Sequence, residues 1–179
     1  MLFRSTEDRR WCQYCYQFAH EFTHILAGFD DELWKRNNWF EETLCEVASL
    51  YVLRQLSEVW QTRPPQTGLK SYAPEFRRYA QGVMDQRQQV AAGQLSDFYQ
   101  KHRAALEASP KNRDLNGAMA IPLLTVMEGA PAAWEAVGWL NARPSPEGQT
   151  FKEYMAAWRE AVPLKHRPVV DEMRRLFGV

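Results

Sequence analysis

The chain reads FAHEFTHILAG over residues 18–28, and the histidines at 20 and 24 can share one ion only if the segment between them is an α-helix. Helical residues four apart lie one above the other on a single face, whereas on a strand the same spacing is about 13 Å. The flanking residues keep the helical period. Trp11, Cys15, Phe18, Phe22 and Ile25 recur at steps of three and four, which predicts a helix over about Glu7 to Ala27, ended by Gly28. On this reading Cys15, Phe18, Phe22 and Ile25 anchor the helix in the core, and His20 and His24 face a metal. Glu21 then stands about 100° around the helix from His20, at the rim of the site. Such a carboxylate suits a general base that takes a proton from a metal-bound water.

The rest of the chain has the same period. A second helix is expected from Trp39 to about Gln61, with Phe40, Leu44, Val47 and Tyr51 on one face and TRPPQTG stopping it. Further helices are expected from Pro74 to Ala92 and, capped by Ser96 with Asp97 in its first turn, to about Ala108. Asn112 to Glu128 should follow, kinked or split by Pro122, then Ala132 to Asn141, Thr150 to Ala161 and Pro168 to Phe177. The one candidate strand is Leu2 to Arg4. The expected fold is therefore mainly α, a single-domain multi-helix bundle over residues 1–179. Residues 1–61 would carry the two metal-site helices, packed together, and residues 72–179 the additional helices.

Composition narrows the function classes. The length of 179 residues is enough for a sizeable core, and seven Trp, seven Tyr and nine Phe are available to fill it. Twenty-two basic residues balance twenty-two acidic ones, which argues against a nucleic-acid partner. No apolar run is long enough for a bilayer and MLFRSTEDRR has no signal core, so no membrane partner and a cytoplasmic location are expected. Three cysteines make no disulfide framework. Cys12 and Cys15 form a CxxC without a second one, and are read as packed or half-buried thiols of a reducing compartment.

A catalytic zinc usually has three protein ligands and an open fourth position. Asp30, six residues after His24, is one candidate for the third, although Ala27 stands where a chain reversal would want glycine. The other lies on the next helix, where WFEETLCE sets Glu42 and Glu46 on one face. Of two stacked carboxylates facing a histidine pair, one can bind metal while the other accepts the free N–H of a ligand histidine. Glu41, one residue out of phase, is a fallback ligand.

HEFTH followed by this acidic helix resembles the gluzincin metallopeptidases, the group of thermolysin and the zinc aminopeptidases. Their second motifs, NExxSD and WxNEGxA, laid on WFEETLCE both select Glu42 as ligand. The first assigns Glu46 to the backing carboxylate, and Trp39 matches the tryptophan of the second. Glu41, Thr43 and Glu46 depart from the family's asparagine, glycine and aspartate. The resemblance covers residues 18–49 and implies Zn2+ as cofactor, a peptide or protein as substrate, and Glu21 as catalytic base. Only nineteen residues precede His20, too few for the family's substrate-binding sheet. A helical scaffold or interaction module that keeps a structural zinc is therefore the alternative. An oxyanion donor is also required, with Tyr51, Tyr72, Tyr79, Tyr99, His102 and His166 as candidates and Arg113 as a cationic clamp.

Overall fold

The computed structural model describes residues 11–28 and 36–179. Leu2–Arg4, the helical turn before Trp11, and Asp30 lie outside the described residues. Among the described residues seven α-helices follow one another: α1 (Trp11–Ala27), α2 (Asn38–Thr62), α3 (Ala73–Asp85), α4 (Leu95–Ala108), α5 (Arg113–Gly129), α6 (Phe151–Ala161) and α7 (Arg167–Phe177). Short 3-10 turns join several of them, and no strand occurs among the described residues. The chain is thus mainly α, as its periodicity implies.

Helix α2 is the axis of the molecule. Every residue from Trp39 to Leu50 is buried, with α1, α3 and α5 laid along it. An element covered on several sides must be apolar or internally paired all round, and α2 meets this demand with two different halves. Its first turn carries Trp39 and Phe40 into an aromatic cluster with Tyr99, Phe151 and Phe177, with ring centroids 4.6 to 5.9 Å apart. The residues that follow include three buried glutamates, which need partners from α1.

Several boundaries have local causes. Gly28 ends α1 in the left-handed region at φ 67°, where a side chain would be strained. Asn112 caps α5 by accepting from the Leu115 N–H. Thr150 and Glu153 close a capping box at α6. Four expectations need correction. Pro122 does not split α5, which runs through it as one helix. Ser96 is not a cap, because α4 already starts at Leu95. The segment from Pro131 to Trp139 winds as a 3-10 helix rather than an α-helix, and α3 stops at Asp85, before its expected end.

The largest correction concerns α1. Phe18 is 60 %, Phe22 45 % and Ile25 74 % exposed, so the stripe expected to anchor the helix faces outward. The buried positions are instead Cys12, Ala19, Thr23 and Ala27. Small side chains let α1 approach α2 closely, and that approach brings the histidine edge of α1 against the glutamates of α2.

Candidate metal centre

Helix α1 contributes His20 and His24, one turn apart, with ring centroids 5.1 Å from each other. Helix α2 answers with Glu41, Glu42, Cys45 and Glu46, four residues at i, i+1, i+4 and i+5 that together form one patch of its surface. All four are buried. Glu42 lies between the imidazoles: its Oε2 is 3.3 Å from His20 Nε2, and its Oε1 is 3.7 Å from His24 Nε2. The opposite ring nitrogens have their own carboxylates. His24 Nδ1 is 2.7 Å from Glu41 Oε1, and His20 Nδ1 lies 3.8 Å from Glu46 Oε1, beyond direct hydrogen-bond reach.

These backing carboxylates are themselves held. Tyr16, one turn before His20, donates its hydroxyl to Glu46 Oε2. Asn141 donates its amide to Glu41 Oε2 at 2.6 Å and to the Ala27 carbonyl at 3.0 Å, and accepts the Tyr154 hydroxyl at 3.1 Å. Ser49 ties the two helices by donating to the Tyr16 carbonyl at 2.9 Å.

The charges follow from this crowding. Burial alone would raise the Glu42 carboxyl, but hydrogen bonds to His20 and His24 outweigh it and lower the group to about 2. Burial likewise disfavours the His24 imidazolium, yet hydrogen bonds to Cys45, Glu41 and Glu42 raise it to about 12. Cys45 is pushed up by burial to about 12, so it is a thiol at neutral pH and the carboxylates are what hold the imidazolium. Tyr16 is raised by burial and by Glu46, and keeps its proton.

One ligand atom each from His20, His24 and Cys45 lie within 4.8 Å of one another, so this cluster could hold a metal ion. The donor chemistry fits such an ion in a second respect. Three buried carboxylates against two imidazoles leave a negative excess that a divalent cation neutralises. Cys45 of α2 thus stands with the histidine pair from α1, and the Glu42 carboxylate lies between the two rings.

The residues expected from the sequence are largely brought together. His20, His24, Glu42 and Glu46 share the site, and Glu21 lines a cleft of about 180 Å³ next to it, together with His20, Tyr79 and Arg113. Of the six oxyanion candidates only Tyr79 lines this cleft. Tyr72 bonds Cys12, Tyr99 is buried in the aromatic cluster, Tyr51 packs on Trp134, His102 on Phe98, and His166 meets Glu135. A larger apolar groove between α5 and α7, about 640 Å³, touches none of these groups.

Sequence reasoning named Glu41 only as a fallback ligand and missed two contributors. Glu41 backs His24 more tightly than Glu46 backs His20. Cys45 lies midway along the same patch, and its spacing of four from Glu41 was the available signal. Asn141 is 100 positions from Glu41, and nothing local announces it. Comparison with protein-family models, with curated proteins and with solved structures finds no match to this chain.

Proposed function

We propose that the protein is a zinc-dependent hydrolase of metallopeptidase type, in which His20, His24 and Glu42 hold the ion and Glu21 is the general base. One observation carries the reading: both Nε2 atoms are turned to the Glu42 carboxylate, while Glu41 and Glu46 lie on the Nδ1 sides. That is the arrangement in which a backing carboxylate fixes the tautomer and directs the other nitrogen to a metal. Zinc held by such a set would supply Lewis acidity, lowering the pKa of a bound water to about 7 and polarising a carbonyl.

The chain's own groups supply the remaining steps. Glu21 shares the cleft with His20 and accepts the proton of the attacking water. As the oxygen–carbon bond forms and the carbon–nitrogen bond breaks, Glu21 returns that proton to the departing amine. The Tyr79 hydroxyl, in the same cleft, donates to the oxyanion. Peptides are the substrate class, on the strength of the resemblance to gluzincins and of the base beside the histidine pair.

The test is Glu21→Gln. Zinc content should be unchanged, while cleavage of a mixed peptide library disappears. Zinc lost with the variant, or cleavage at the parent rate, overturns the reading.

A specific observation favours a second reading. Cys45 lies within ligand distance of the same cluster, and a site closed by His20, His24, Glu42 and Cys45 would staple a helical scaffold without an open position. Absorption of the cobalt-loaded protein separates the two readings. A thiolate-to-cobalt charge-transfer band, lost in Cys45→Ser, supports the staple, and its absence supports the hydrolase.

A further inference from the structure

We infer that the cleft beside Glu21 receives the terminal carboxylate of a peptide, with Arg113 as its anchor, so that the protein acts on chain ends. This rests on the hydrolase reading and adds the class of substrate to it. The cleft has polar walls on both sides. Gln17 and Glu21 come from α1 and Tyr79 from α3, while Arg113 stands at the start of α5. Arg113 is exposed, and it forms no ion pair or hydrogen bond among the described residues. Most other arginines of the chain are engaged: Arg36, Arg54, Arg77, Arg78, Arg87 and Arg103 all hold carboxylates. An uncommitted guanidinium lining the cleft of a general base offers the planar fork that binds a carboxylate through two hydrogen bonds.

Two further observations point to the same ligand. Gln17 lines this cleft, and its buried side-chain oxygen has no hydrogen-bond partner among the described residues. A buried acceptor without a donor calls for one from a ligand, and the N–H of a terminal residue carries that donor a short distance from its carboxylate. The small volume agrees with a chain end. At about 180 Å³ the cleft is well under the roughly 300–1,000 Å³ of sites that enclose a drug-sized ligand, which leaves room for one terminal residue. The local negative charge does not forbid this. Glu46, which also lines the cleft, has its carboxylate engaged by the Tyr16 hydroxyl and lies beside His20.

The experiment uses the zinc-loaded full chain and calorimetric titration with N-acetylleucine and with N-acetylleucinamide, which differ in the terminal group, a carboxylate in one and a neutral carboxamide in the other. The acid should bind at least about tenfold more tightly than the amide, and Arg113→Gln should remove the difference while zinc content stays unchanged. Equal binding of acid and amide overturns the inference. So does an acid preference that survives in Arg113→Gln, because the carboxylate is then held by the metal alone. Failure of the hydrolase reading is separately visible. It shows as no peptide turnover in the parent protein, and an Arg113-dependent acid preference can still be present in that case.

Discussion

The side chains around the histidine pair differ in what they can lose. Glu41 makes the 2.7 Å contact to His24 Nδ1, is itself held by Asn141, and is almost wholly removed from solvent. Glu41→Gln keeps the shape but can no longer fix His24 as a carboxylate does. Zinc affinity, read by competition with a chromophoric chelator, should fall about 10- to 100-fold. Glu46 stands farther from its histidine, so Glu46→Gln should cost less. A larger loss for Glu46→Gln than for Glu41→Gln would reverse the assignment of backing roles. The same groups set a pH profile for the metal-free protein. The raised His24 contributes stability that is complete below its ordinary 6.5 and declines as pH rises toward about 12. The lowered Glu42 contributes stability that is complete above its ordinary 4.5 and is lost as pH falls toward about 2. Both contributions are full only between about 4.5 and 6.5. Urea midpoints of the metal-free chain should peak in that window, and His24→Gln should remove the decline between about 6.5 and 9, above which the buried Cys45 and Cys15 thiols contribute a decline of their own.

Between helices, the sequence is explicit about periods and silent about phase. The boundaries of α2, α6 and α7 fall within a residue or two of those read from caps, prolines and apolar spacing, because those signals are local. The orientation of α1 could not be read that way. Its large apolar residues, Phe18, Phe22 and Ile25, make one stripe, and its small ones, Ala19, Thr23 and Ala27, make another. Hydrophobicity favours burying the first. The glutamates of α2, however, are stable inside only with partners, and the histidines that satisfy them sit beside the small stripe. The electrostatic demand of a second helix therefore sets the phase of the first, and no window confined to α1 contains that information. Substitution can test the phase directly. Ala19→Leu enlarges a residue at the α1–α2 seam and should destabilise the fold by about 1–3 kcal/mol. Ile25→Ser, on the exposed stripe, should stay within about 0.5 kcal/mol. Chemical denaturation of the two variants reads the contrast. Similar costs for both would mean that α1 is packed by its large residues after all.

Across the molecule, the metal site and the apolar core are joined through α2. The glutamates begin directly after Trp39 and Phe40, which pack against Phe151 and Phe177 in the C-terminal helices. Asn141 and Tyr154, the latter packed on Phe40, reach the same helix, and they bond to Glu41 directly and through one another. This explains why the pairing of the HEFTH helix with the WFEETLCE helix was legible in the sequence while the shell around them was not. HEFTH and WFEETLCE are short-range patterns, whereas Asn141 reaches Glu41 only once the C-terminal helices have folded over α2. It also means that metal binding should be felt far from the metal. Zinc at about a thousand times its dissociation constant adds about 4 kcal/mol to a two-state chain. For a protein of this size that raises the thermal midpoint by about 8–16 °C. Phe177→Ala, which empties a fully buried position at the far end of the aromatic cluster, should cost about 3–5 kcal/mol. If the helices unfold as one unit, saturating zinc should restore most of the midpoint lost by Phe177→Ala, and should restore none of it when His20→Ala is added. If zinc instead protects only amides of α1 and α2 from hydrogen exchange and leaves those of α7 unchanged, the N-terminal pair is a separate cooperative unit, and the coupling through Trp39 and Asn141 is refuted.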